Sequence, residues 1–369
     1  MKLSTLPGAM FFSLIVVFMV AAPLPAQAAA AETLLATGCP VERNGDGAIV
    51  AVDLSERPID DTVVAALATL PELAVLRLRR TAISDAQLHR LTGLKLRMID
   101  LRNTNTTDVG LAALGNISSL VDIQLEKTKV TDAGVENLAG LRLKSFNVNY
   151  CTSISNRGLA VLTAMPSIEQ LQLDYTKIDD AGMAGLARAR RLKRLRMRGL
   201  DVTGSGFAHL ATLENLSRLN LRDTSLDDAG LAVIAALPRL DWLDISECRL
   251  ATPAGIARLG QATTLTYLDL WETKTDDETL AAFGGLTNLK LLNLKATRIT
   301  DDAVPTLLKL TQLVELNLGG TLLSDEGFLA LGKLPALKKL NVANTNIGFD
   351  TIDTLAGSRE GLTVVEYED

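Results

Sequence analysis

Leu120-Val-Asp-Ile123-Gln-Leu125-Glu-Lys-Thr128-Lys-Val130-Thr131-Asp132-Ala-Gly-Val135-Glu-Asn-Leu138-Ala-Gly-Leu141 is the stretch whose reading decides the fold. Asp122 and Gln124 alternate with Ile123 and Leu125. That period of two belongs to a short strand with one face buried. Thr128 then turns the chain, and Val130 brings it back to the apolar side. Thr131-Asp132 has the chemistry of a helix start, a hydroxyl cap followed by an acid in the first turn. Val135, Leu138 and Leu141 follow at three-residue intervals, the stripe of a short helix. The unit reads strand, turn, helix.

The unit recurs along the chain. The pattern Leu-x-x-Leu-x-Leu, with Ile, Val or Met substituting, occurs thirteen times at spacings of 23 to 25 residues, from Ile49…Leu54 through Leu192…Met197 to Leu337…Val342. Helix starts recur with it as Ser84-Asp85, Thr107-Asp108, Ser155-Asn156, Thr300-Asp301 and Ser324-Asp325. Acidic versions stand at Asp179-Asp180, Asp227-Asp228 and Asp276-Asp277, and Thr252-Pro253 places proline at the first helical position, where it is welcome. A period in this range marks a solenoid, because one unit cannot bury its apolar face alone. Helices are wider than strands, so the stack bends, with a parallel sheet on the concave side and short helices on the convex side. The expected fold class is therefore α/β, a right-handed α/β solenoid.

These residues resemble leucine-rich-repeat proteins. The Thr-x-Val-Thr-Asp-x-Gly-Val tail is similar to the helix-containing classes, ribonuclease-inhibitor-like and cysteine-containing, and to exported bacterial repeats of this length. The resemblance implies a horseshoe and a recognition scaffold, and its members bind very different ligands, so the fold alone leaves the function open.

Composition agrees with one continuous core. Hydrophobic residues make up 47% of the chain and aromatics only 4%, so Leu, Ala, Ile and Val must fill it. The net charge of −6 argues against general nucleic-acid binding, which needs cations to displace phosphate counterions. The boundaries expected are a signal peptide over 1–28, an N-terminal cap over 29–48, repeats over 49–361 and a capping strand over 362–369. Lys2, the apolar run Met10 to Val20 and Ala26-Gln27-Ala28 carry the signal-peptide reading, which implies export. The run is short for a membrane span. Ala36-Thr37-Gly38-Cys39 loosely resembles a lipobox, so lipid anchoring at Cys39 is the alternative.

Little in the sequence suggests catalysis, and the expectation is a non-enzymatic protein without cofactor or metal. The only histidines, His89 and His209, fall on two distant helices. Cys151 and Cys248 occupy the repeat position where Thr81, Thr128 and Thr224 stand elsewhere, four repeats apart. Strands about 4.8 Å apart put them beyond disulfide reach, as small core residues. Glu42 to Asp53 partly matches a calcium loop but departs at its first and last positions, so a turn is expected there. The aspartates Asp179, Asp227, Asp276 and Asp301 are read as helix caps.

The outward strand positions are more informative. Arg194, Arg196 and Arg198 share one repeat, Arg218 and Arg222 the next, then Trp242, then Tyr267 and Trp271. Arginine forks bind carboxylates or phosphates at two points, and Trp and Tyr are favoured anchors of binding surfaces. These eight residues are the candidate site for a protein or peptide ligand. The alternative ligand is an acidic or cell-wall polysaccharide stacked on the aromatics. A further alternative is that the arginines pair with Asp174, Asp244 and Asp269 and serve only to solubilise the sheet. Arg77, Arg79, Arg80 and Arg102 make a second basic patch, and the Asn147, Asn220, Asn293, Asn317 and Asn341 column is expected to be solvated or to bond between strands.

Overall fold

The computed structural model describes residues 25–358 and 360–367; the apolar run of the expected signal peptide lies outside them. Fifteen strands form one open sheet in which spatial order equals chain order. They are β1 (Val41–Arg43), β2 (Ile49–Asp53), β3 (Val75–Arg77), β4 (Met98–Asp100), β5 (Asp122–Gln124), β6 (Ser145–Asn147), β7 (Gln170–Gln172) and β8 (Arg194–Arg196). The series continues with β9 (Arg218–Asn220), β10 (Trp242–Asp244), β11 (Tyr267–Asp269), β12 (Leu291–Asn293), β13 (Glu315–Asn317), β14 (Lys339–Asn341) and β15 (Thr363–Val365). Only β1 runs antiparallel to its neighbour. From β2 onward the register is constant, so equivalent repeat positions stand side by side, as in Arg194↔Arg218↔Trp242↔Tyr267.

The leucines of the repeat fill a single core, with Leu120, Ile123, Leu125 and Leu138 at 0% exposure and their equivalents likewise buried. Phe146, Phe207, Phe283 and Phe328 are buried with them. Glu42 to Asp53 forms a hairpin whose turn is held by Asn44 Oδ1, which accepts from the Asp46 and Ala48 amides. The helix Pro25–Ala36 packs on the helix Asp61–Ala68 at the N-terminal end, and it spans the expected cleavage site.

Just past each strand from β2 to β14 the chain makes one left-handed step. Lys127, Tyr150, Tyr175, Asp223, Glu247 and Glu272 have φ between 52° and 61°, and Gly199 takes the same place at 68°. A side chain there is tolerated because the amide of this residue is claimed by the next repeat, as in Lys127 N–H to Asn149 O at 2.9 Å. The threonine that follows donates back to its own strand, Thr128 Oγ1 to Leu125 O at 2.7 Å. Cys151 and Cys248 are buried and free, and each donates its thiol to a carbonyl of the preceding repeat at 3.1 Å.

The helix side is held by a relay between repeats that corrects the sequence reading of Asp301. Asp179, Asp227 and Asp276 do cap their own helices. Asp301 does not: Thr300 is the cap, and Asp301 accepts from the Ser324 amide at 2.9 Å and from its hydroxyl in the next repeat. Asp132 does the same for Ser155, with the amide at 2.8 Å, the hydroxyl at 2.5 Å and the Gly158 amide at 3.0 Å. A first-turn carboxylate can thus satisfy helix donors one repeat away, where they would otherwise lack acceptors. Gly158 is required there, because a Cβ would collide with Asp132 Oδ1.

The relay has a complementarity that runs through the chain. Hydroxyl caps Thr107, Thr131, Ser155, Thr203, Thr252 and Thr300 follow Asp85, Asp108, Asp132, Asp180, Asp228 and Asp277. Of the four aspartate caps, Asp60 stands in the first repeat, and Asp179, Asp227 and Asp276 follow Asn156, Gly204 and Pro253, none of them acidic. Asn156 Nδ2 donates to Asp179 Oδ1 at 2.7 Å. Two carboxylates never meet at these junctions.

Candidate functional site on the strand face

Each strand presents two outward residues, and the residue after the next buried one continues the line. Across neighbouring repeats these make three files. The first runs Gln170, Arg194, Arg218, Trp242, Tyr267, Leu291; the second runs Gln172, Arg196, Asn220, Asp244, Asp269, Asn293. The third runs Asp174, Arg198, Arg222, Ser246, Trp271, Lys295. All eight candidate residues therefore lie on one side of the sheet, across four adjacent repeats.

They divide into engaged and open groups. Arg196 Nε donates to the buried Asp174 carboxylate at 2.5 Å, and the Arg198 amide donates to the other oxygen at 2.9 Å. Arg198 also lies over the Tyr175 ring, 5.5 Å from its centroid. Arg222 bonds Glu247 at 2.7 Å and stacks on Trp271 at 4.3 Å. Nε of Arg198 and of Arg222 has no oxygen acceptor, which the aromatic face beneath each guanidinium accounts for. Trp271 Nε1 is also buried without an acceptor.

Arg194 and Arg218 are exposed and directly opposite one another on β8 and β9, and among the described residues no acidic side chain bonds either. Beside them Trp242 and Tyr267 stack at 4.4 Å with an interplanar angle of 17°. Gln170, Gln172, Arg194, Arg196, Arg218, Asn220 and Trp242 line an open depression of about 310 Å³.

The solubilising alternative holds for only part of the face. Asp174 pairs with Arg196, but Asp244 and Asp269 do not bond the arginines. Asp244 accepts from Asn220 Nδ2 at 2.9 Å and from the Ser246 amide at 3.0 Å. Asp269 accepts from the Trp271 amide at 3.0 Å and the Tyr267 hydroxyl at 3.3 Å. Burial, reinforced by the Asp244 charge, pushes the Asp269 carboxyl above the usual range. Burial and the same two carboxylates push the Tyr267 phenol well above its ordinary value. Most of the second basic patch is paired: Arg79 and Arg80 share Glu56 at 3.1 and 3.0 Å, Arg102 bonds Asp100 at 2.6 Å, and Arg77 stands in register between Asp53 and Asp100.

The second file also explains the asparagine column. Oδ1 of Asn147, Asn220, Asn293, Asn317 and Asn341 accepts from the amide two residues on in its own repeat. The column closes each strand end with its oxygen and, as expected, also bonds between strands with its amide: Asn147 Nδ2 donates to Gln124 Oε1 at 3.0 Å and Asn220 Nδ2 to Asp244.

Tyr150 and Tyr175 were not among the sequence candidates. Their rings stack at 4.8 Å, flanked by Lys127 over Tyr150 at 4.9 Å and by Arg198 at the other end. They occupy the left-handed position after the strand, to which alternation assigns no face. The recurrence of that position eight residues into each repeat was the available signal. Among the described residues no group of His, Cys, Asp and Glu could hold a metal ion, and no helix is long and apolar enough to cross a membrane.

No protein-family model matches the chain, and no curated protein matches it in sequence. Among solved structures it is similar to an internalin (inlF) from Listeria monocytogenes, at 17% identity and a TM-score of 0.53 over 93% of this chain and 94% of that one. It is also similar to the plant peptide hormone receptor RGFR1 in complex with RGF2, at 14% identity and a TM-score of 0.46 over 89% and 67% of the two chains. The internalin likeness and the sheet topology together establish a leucine-rich-repeat solenoid fold.

Proposed function

We propose that this leucine-rich-repeat chain is an exported, non-enzymatic recognition scaffold that binds a protein or peptide on the concave face of β7 to β12. One observation carries the reading: an open, uncovered sheet face on which two arginines without acidic partners stand against a stacked Trp-Tyr pair. Arginine and large aromatics dominate the energetics of recognition surfaces, Trp and Tyr because they cover much area with few rotors and Arg because its planar fork makes several hydrogen bonds at once. The half-buried residues of the site, Arg196, Arg198, Arg222 and Trp271, are already held by internal partners. A ligand would therefore meet a preorganised floor. The aromatic stack also favours a second reading, a polysaccharide whose sugar ring lies on Trp242. Export rests on the N-terminal sequence. Lipid attachment at Cys39 has less support, because that thiol is buried and bonds Leu34 O at 3.3 Å.

The test is capture of a partner from an envelope extract by the mature protein and by its W242A/W271A variant. A protein retained by the first and lost by the second, with unchanged circular dichroism, is the expected result. Equal retention by both refutes the concave site, and retention of purified polysaccharide with no protein partner favours the second reading.

A further inference from the structure

We infer that the depression bounded by Arg194, Arg196, Arg218 and Trp242 seats the carboxylate of an Asp or Glu side chain from an extended peptide. An apolar neighbour of that residue then lies on the Trp242–Tyr267 stack. The inference rests on the concave-face reading above and specifies its chemistry.

Two independent features point to an anion there. The first is a gap in neutralisation. Elsewhere the sheet sets cations beside acids: Lys339 on β14 reaches Glu315 on β13 at 4.0 Å, and just before β8 Lys193 bonds Glu169 at 2.8 Å. Arg77 stands in register between Asp53 and Asp100. At β8 and β9 the register instead sets Arg194 beside Arg218, flanked by Gln170 and Trp242. Like charges directly opposite destabilise a sheet, so the free protein bears a cost that an anion would remove. The nearby acids cannot supply it, because Asp174 and Asp244 are already bonded.

The second feature is a local exchange of structural duties. The second file carries Asn or Asp wherever its side chain closes its own strand end, as Asn147, Asn220, Asp244 and Asp269 do. It departs from this at β3, β5, β7 and β8, which carry Arg77, Gln124, Gln172 and Arg196, and the last two are set apart by a substitute closure. The two orphaned amides are taken over from the preceding repeat: Asp174 N–H donates to Asn149 Oδ1, and Arg198 N–H to Asp174 Oδ1, both at 2.9 Å. The closure is thus preserved while Gln172 and Arg196 are released to line the depression. Departures from a fold's own rule that are compensated elsewhere mark functional positions. This departure falls under the unneutralised arginines.

The ligand's class follows from geometry. Arginine forks match a two-oxygen group, and the first file leads from that group directly onto the aromatic stack. The first file continues past the depression to Ser145 on one side and to Tyr267 and Leu291 on the other, so an extended chain can run along it with the carboxylate carried on a side chain.

The test is selection of a displayed random dodecamer library, fused at its C-terminus so that only side-chain carboxylates are offered. Baits are the wild type, R194E/R218E and W242A. The wild type should enrich peptides carrying Asp or Glu next to an apolar or aromatic residue. A synthetic lead should bind at least tenfold more weakly after Glu→Gln in the peptide or R194E/R218E in the protein, and Glu→Lys in the peptide should restore binding to R194E/R218E. Leads lost on W242A but indifferent to R194E/R218E overturn the carboxylate seat and leave the concave-face reading standing. A wild type that enriches no peptide, or leads that ignore all three substitutions, overturns both. A heparin hexasaccharide bound at Arg194 and Arg218 with no acidic enrichment among peptides assigns the anion to a glycan and overturns the inference.

Discussion

Exchanging the junction between two repeats should be ruinous one residue at a time and harmless when both change together. At the Asp132–Ser155 junction the carboxylate accepts from the Ser155 hydroxyl, the Ser155 amide and the Gly158 amide. Ser155→Asp replaces the hydroxyl donor with a second carboxylate. The lost charge-assisted hydrogen bond is worth about 1.5–3 kcal/mol. Two like charges about 4 Å apart add about 1 kcal/mol in water, and more in this half-buried site. The expected cost of S155D is therefore about 3 kcal/mol, although Asp is itself a good cap. Asp132→Asn alone weakens the same bonds and should cost about 1–2 kcal/mol. The double variant D132N/S155D reproduces the Asn156–Asp179 junction one repeat along, and should fall within about 1 kcal/mol of wild type. Because solenoids can unfold piecewise, urea denaturation should be paired with hydrogen exchange at the Gly158 amide. A local loss of about 3 kcal/mol would speed that exchange roughly a hundredfold in S155D, with near-normal exchange in the double variant. Stability of S155D equal to wild type, or a double variant costing the sum of the singles, would refute the complementarity.

Asp269 gives a pH-dependent prediction. Its folded carboxyl lies above the unfolded value, so the native state holds the proton more tightly, and stability falls as pH rises from the ordinary aspartate range through the raised folded value. Asp269→Asn removes that penalty and keeps an acceptor for the Trp271 amide, as Asn220 does for Arg222. Thermal unfolding should show the variant more stable than wild type at pH 7, with the difference shrinking at acid pH; a constant difference would contradict the assignment. Cys248, buried and with its thiol pushed up to about 11, should resist iodoacetamide at pH 8 until the protein is unfolded, as should Cys151. Mass spectrometry of the native and denatured protein checks both.

Repetition explains which features could be read from the sequence. Strand residues such as Ile123 and Leu125 recur from unit to unit, as do polar caps such as Thr131 or Asp179, so period and chemistry together locate them. The side of the sheet occupied by Arg194, Trp242 and Trp271 follows from alternation in the same way. Bonds that cross from one repeat to the next were not legible. Asp301 looks like a cap within its own unit and acts on Ser324, 23 residues later. Arginine pairing was hidden too, since a long side chain can reach several partners: Arg222 chose Glu247 over the aspartates expected, and Arg194 chose none. Tyr150 and Tyr175 escaped because a turn residue has no face until its φ is known.

The junction rule also restricts how such an array can lengthen. Residues 120–142 could be duplicated in tandem, because Asp132 would meet another threonine cap. Residues 168–191 could not, because Asp180 would confront a copy of Asp179. Inheritance by unequal crossing-over would then favour certain modules and reject others, and the order of units along this coil becomes a record of which splices the ends allowed.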